Sequence, residues 1–175
     1  ISEFFPTFQM GRPPKWEKWQ VINAILYVNR TGCQWRMLPV NFPPWRTVYF
    51  YYWSWQRDGV WQRINDVLVK KVRKQAGRHE RPSAAVIDSQ SVKTSEGGEE
   101  RGVDVHKQTP GRKRHLVVDV LGLVLLVVVH SASIQDGAGG LLTLQKLFEH
   151  IKHSLHNRWC RLKLIGADGG YRSIV

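Results

Sequence analysis

The sequence predicts a mixed α+β chain, a small helical N-terminal domain followed by an α/β domain. Three features point there. Apolar residues recur at helical spacing as far as residue 76, residues 77–83 are polar and contain Pro82, and from residue 84 the apolar residues gather into runs of strand length. The polar stretch divides a helical domain over residues 1–79 from a second domain over residues 83–175.

Trp19, Ile22, Ile25, Leu26 and Val28 predict a first helix over residues 16–30, with Gly32 as its stop. Pro39, Pro43 and Pro44 force a turn, and residues 45–57 read as a second helix ending at Asp58-Gly59. A third helix is expected over residues 60–76, with Ile64, Val67, Leu68 and Val72 on its apolar face. Seven of the eight tryptophans fall in this region, which points to aromatic core packing in a small bundle. Beyond the linker, residues 84–87 read as a strand ending at Asp88. Residues 115–121 and 123–129 read as two strands joined tightly at Gly122. Residues 141–155 predict an amphipathic helix, and residues 162–165 a strand ending near Asp168. A strand hairpin followed by a helical crossover into the same sheet suits a mixed layer, an order with which ribonuclease H-like domains begin.

The 26 Lys and Arg against 14 Asp and Glu leave a net charge of +12, which favours a polyanionic partner. Residues 1–80 hold 13 basic and 5 acidic side chains, and residues 81–175 hold 13 and 9, so the helical region is the expected nucleic-acid footprint. Cys33 and Cys160 lie too far apart for a zinc knuckle or a disulfide framework, which suits a reducing cytoplasm. The apolar run over residues 116–129 is broken by Asp119 and Gly122 and falls short of the roughly 20 residues that span a bilayer. No secretory leader opens the chain, and Ile1 in place of Met suggests that the natural N-terminus lies upstream.

Asp88 follows one strand and Asp168 another. Carboxylates at strand ends on one sheet edge can meet in space and hold hard divalent cations such as Mg2+. Such ions, about 4 Å apart, activate a water or a 3′-hydroxyl and stabilise the leaving oxygen of a phosphodiester. Either Asp alone also fits an ordinary strand-end or turn position, and Gly169 and Gly170 suit both cases. The basic stretch Lys107, Arg112, Lys113 and Arg114, with His115 after it, reads as a solvated loop or as a clamp on a DNA backbone. Asp136 suits a helix cap or an acid behind the metal site, and Asp119, inside a strand, suits a structural pairing. Ser89, Ser91 and Thr94 form no nucleophile arrangement.

The segments TGCQWRMLP, FPPWRTVYFYYWSWQRDGVWQRI, AAVIDSQSVKTS, GRKRHLVVDVLG and ADGGYR resemble, in order and over nearly the whole chain, successive motifs of bacterial insertion-sequence transposases of the DDE type. The resemblance implies a helical region that helps recognise terminal inverted repeats, followed by a ribonuclease H-like catalytic domain. It makes Asp88 and Asp168 the first two catalytic, metal-holding acids, with Mg2+ as the cofactor and Mn2+ as a substitute. It places the third, a Glu in a W-x-V-E-R block, downstream; only seven residues follow Asp168, and Glu149 precedes it, so the chain is expected to stop short of that residue. The implied partners are double-stranded DNA at element ends and targets and further copies of the chain, with no membrane, in the bacterial cytoplasm at the nucleoid. The rival expectation is a non-catalytic DNA-binding fragment that occupies element ends and represses the full-length enzyme.

Overall fold

The computed structural model describes residues 4–5, 15–94, 100–154 and 161–174; Cys160, and the expected end of the second-domain helix at residue 155, lie outside them. The chain packs as two units, Ile1–Val67 and Leu68–Val175, the division falling inside the third helix.

In the first unit α1 spans Lys18–Thr31, α2 spans Trp45–Arg57 and α3 starts at Val60 and runs to Gln75. A capping box starts α1: the Glu17 side chain takes the third-position amide, and the Gln20 side chain takes the amide of Glu17. Gly32, at φ 67°, stops the helix by turning left-handed and donating its N–H to the Val28 carbonyl at 2.8 Å. Pro44 precedes α2, whose carbonyl-bonded first turn needs no donor there. Val21, Ile22, Ala24 and Ile25 of α1 pack with Val48, Trp55, Val60, Ile64 and Phe5 in one core. Trp55 is completely buried, but Trp19 and Trp53 are 59% and 48% exposed, so core packing does not account for those two. Val67, Leu68 and Val72, expected on the apolar face of α3, are also exposed, while Ile64 is buried.

The second unit holds β1 (Ala84–Lys93), β2 (Gly102–Asp104), β3 (Thr109–Asp119), β4 (Val124–Ser131), α4 (Asp136–Ser154) and β5 (Leu164–Ala167). β3 lies antiparallel to β1 from Gly111 to Asp119 and takes β4 and the short β2, end to end, on its other edge. β5 closes the order by pairing in parallel with β1. Mixed α+β architecture is therefore what the chain adopts. Ala85 and Ile87 of β1, Val117 of β3, Leu147 of α4 and Tyr171 form the core, so α4 covers one face of the sheet.

Strand boundaries differ from expectation where side chains are polar. β1 continues five residues past Asp88, because Ser89 to Lys93 pair with the basic half of β3 although they offer no apolar run. β3 begins at Thr109 instead of residue 115 for the same reason, and ends at Asp119, not Leu121. The turn after it is held by the Asp119 carboxylate, which accepts the Leu121 and Leu123 amides at 2.9 Å each. α4 starts at Asp136, not residue 141, and β5 sits two residues later than expected.

Candidate active site

The parallel register places the two sequence-nominated acids. β5 follows β1 at a constant offset from Ala84↔Leu164 to Ile87↔Ala167, so Asp88 and Asp168 are the next residues along two adjacent parallel strands. Asp88 remains within β1, opposite Leu116 of β3, at the point where β5 ends and its chain turns away. That turn is a short 3-10 segment, Gly169–Ile174, in which Asp168 Oδ1 accepts the Gly170 amide at 3.0 Å. Asp88 Oδ1 accepts the Ser89 amide at 2.7 Å. Both acids are exposed.

The strand's two-residue period sorts every other candidate onto one face or the other. Val86, Asp88, Gln90 and Val92 of β1 are exposed on the face away from α4, whereas Ala85, Ile87, Ser89 and Ser91 face it or are partly covered. On β3 the same alternation divides the basic stretch. Arg112 and Arg114 share the face of Asp88, Arg114 being exposed and hydrogen-bonded through Nε to Gln90 Oε1 at 2.9 Å. Lys113 and His115 point the opposite way and are 3% and 0% exposed. Those two, expected on a solvated or DNA-facing loop, are thus buried strand residues; Lys107 remains in an exposed turn.

On the covered face Lys113 Nζ sits 2.8 Å from Asp136 Oδ1, 3.2 Å from Asp104 Oδ2 and 3.0 Å from the Ile134 carbonyl oxygen. Asp104 also accepts the Ser91 hydroxyl and the amides of His106 and Lys107. The Ser91 hydroxyl, with the Lys107 amide and Lys113, outweighs burial and holds Asp104 far below the usual carboxylate range. Burial opposes ionisation of Asp136, but Lys113 and the Ser89 hydroxyl prevail and its carboxyl is lowered. Asp136 is the first residue of α4, where a carboxylate also complements the helix dipole.

His115 Nδ1 lies 2.8 Å from the Tyr171 hydroxyl, and its ring stacks on His130 with centroids 4.9 Å apart. Burial, followed by the neighbouring His130, pushes the His115 imidazole down to about 4, so it is neutral at ordinary pH. Burial pushes the Tyr171 hydroxyl up to about 12, and Asp136, Asp88 and Asp168 add to that rise, while a hydrogen bond from Ser89 opposes it. Asp119 is remote from this cluster in role: it forms a buried ion pair with Arg73, whose Nε donates to the His79 carbonyl at 2.9 Å.

Asp104, His130 and Tyr171 carry no strand-end or charge-run signal and were not singled out by sequence; alternation within β3, and the spacing of Tyr171 three residues after Asp168, were the available clues. Among the described residues, no group of three or more His, Cys, Asp or Glu side chains is placed to hold a metal ion. The alternation explains part of this, since Asp88 projects from the face opposite the one that Asp136 and His115 occupy. The donors at the strand ends are nonetheless hard carboxylate oxygens, which suit Mg2+ or Mn2+ with further ligands from elsewhere.

Residues 79–174, more than half of the chain, match the family described as Transposase DDE domain. The chain belongs to the DDE transposases. Residues 1–65 of this DDE transposase chain match a second family, described as "Putative transposase of IS4/5 family". A 16.2 kDa uncharacterized protein of insertion element IS402 from Burkholderia cepacia is 33% identical over 95 residues, covering 51% of this chain and 57% of the relative. The chain thus spans less than two thirds of that curated relative's length. No solved structure matches. No helix among the described residues is long and apolar enough to cross a membrane.

Proposed function

We propose that residues 83–175 form the first part of a ribonuclease H-like catalytic domain that cuts DNA at insertion-element ends and transfers the freed strand to a target. Residues 1–79 serve as its DNA-binding domain. The supporting observation is the constant offset between β1 and β5, which brings Asp88 and Asp168 side by side across 80 positions of sequence. In this reading the two carboxylates hold Mg2+, with Mn2+ as a substitute. A divalent metal held by Asp88 and Asp168 would supply Lewis-acid activation of the phosphodiester and of the attacking water or 3′-hydroxyl. The chain's own contribution is to hold two oxygens at the strand ends and to set Arg112 and Arg114 on the sheet face of Asp88, where they take the DNA backbone as charge-assisted, sequence-independent contacts. Paired ends call for two or more copies of the chain, in the bacterial cytoplasm at the nucleoid.

The test is a divalent-metal-dependent cleavage and strand-transfer assay on the element's end DNA. It compares this chain, a chain extended by the downstream reading frame, and Asp88→Ala and Asp168→Ala forms of the extension. The extension alone is expected to act. Each Asp→Ala form should lose more than about a hundredfold, since groups that merely support metal ligands already contribute 10–100-fold. Equal activity in the extension and both variants sinks the assignment. A non-catalytic occupant of element ends is the second reading; it predicts specific end binding with no cleavage by any form.

A further inference from the structure

Donors and acceptors on the covered face can be ordered in one consistent direction. The His130 Nδ1–H donates to the Ser131 carbonyl at 2.8 Å. With its proton on Nδ1, His115 donates to the Tyr171 oxygen, and His115 is itself the cross-strand partner of Ser89 on β1. The opposite tautomer would leave a buried Nε2–H of His115 with no acceptor, a costlier defect than an unused lone pair.

This contact lies behind the two chain segments that carry the candidate acids. Ser89 is the residue after Asp88 on β1, and Tyr171 lies three residues after Asp168 in the turn that leaves β5. The Tyr171 amide also donates to the Asp168 carbonyl at 3.2 Å. Gly170 packs between Asp168 and the first residue of α4: a Cβ there would lie 3.2 Å from Asp168 Oδ1 and 3.5 Å from Asp136 Oδ2. Tyr171 is 3% exposed with its ring in the sheet core, so its hydroxyl is placed by packing before any ion arrives.

We propose that Tyr171 is a positioning residue, whose hydroxyl, held by His115 opposite Ser89 of β1, ties the Asp168 turn to the strand pair bearing Asp88 and so sets the separation of the two metal-holding carboxylates. This rests on the assignment of Asp88 and Asp168 as metal ligands, and the experiment separates the two claims. Mn2+ is titrated into the full chain and free ion is followed by its electron paramagnetic resonance signal. The proteins are the unaltered chain, Tyr171→Phe, Ser89→Ala, Asp88→Ala, Asp168→Ala and the Tyr171→Phe/Asp168→Ala pair. Tyr171→Phe keeps the core ring and is expected to weaken Mn2+ roughly tenfold, the scale of groups that orient metal ligands. Ser89→Ala should weaken it comparably from the other strand, and Tyr171→Phe should add nothing once Asp168 is removed. Unchanged affinity in Tyr171→Phe, with loss in Asp168→Ala, overturns the positioning role and leaves the metal assignment standing. An equal Tyr171→Phe effect with and without Asp168 also overturns it. Mn2+ binding that is absent, or indifferent to both Asp→Ala changes, removes both claims. Thermal melts of the same proteins distinguish lost affinity from lost fold.

Discussion

His115 shows how burial turns a titratable side chain into a fixed hydrogen-bond partner. Its ring has no exposed surface, lies against His130 and shares the covered face with Lys113, so a second positive charge there is unfavourable. The folded-state value is about 4 against 6.5 for the unfolded chain. Between these values the unfolded chain binds a proton that the folded chain refuses, so stability falls as pH drops from 6.5 towards 4 and is level above that window. The lowered carboxyls of Asp104 and Asp136 act separately: their stabilisation is present above 3.8 and is lost only as pH falls further. Urea midpoints at neutral pH and near the lower end of the His window should therefore differ more in the unaltered chain than in His115→Asn, which keeps an N–H for Tyr171 but cannot titrate. An identical decline in both proteins would place the sensitivity elsewhere.

α4 approaches the sheet closely only because glycine stands at position 139. A Cβ there would lie 2.3 Å from His115 Nε2 and 2.4 Å from His130 Nε2, inside any tolerable contact, and both rings are buried. Helix propensity alone favours alanine over glycine by about 1 kcal/mol, so Gly139→Ala sets propensity directly against packing. Packing should win, with a net destabilisation of about 1–3 kcal/mol in urea denaturation, the usual cost of overfilling a core; a stabilised variant would mean that the rings yield. The same glycine-rich start hid the first turn of α4 from the sequence, where helix expectation began at residue 141. Elements with chemical punctuation were legible: Gly32, Pro44 and Gly59 bound the three N-terminal helices nearly where the structure does. β2, three residues without an apolar run, and the polar halves of β1 and β3 were not legible, because cross-strand hydrogen bonding holds them with little apolar burial.

At the scale of the molecule, the net charge of +12 overstates what a polyanion can meet. Lys113 is buried between two aspartates and Arg73 against Asp119, and neither cation faces solvent. Asp88 and Asp168 could be nominated from sequence because each ends an apolar run within a family-like block, but their shared edge needed the parallel pairing of β5 with β1. The basic stretch at residues 112–115 was legible as charge and illegible as geometry, since only strand alternation sends Arg112 and Arg114 to the face of Asp88 and Lys113 and His115 behind it. Binding to duplex DNA reads that division directly. Each phosphate contact contributes a slope of about −0.9 to the dependence of log K on log salt. Arg112→Ala and Arg114→Ala should each make the slope shallower by about one contact's worth, as followed by fluorescence anisotropy across a salt series. Lys113→Met removes the same formal charge but no phosphate contact, so its slope should match that of the unaltered chain even where its melt is lower. A Lys113→Met slope as shallow as that of Arg114→Ala would mean that this strand presents its other face to DNA.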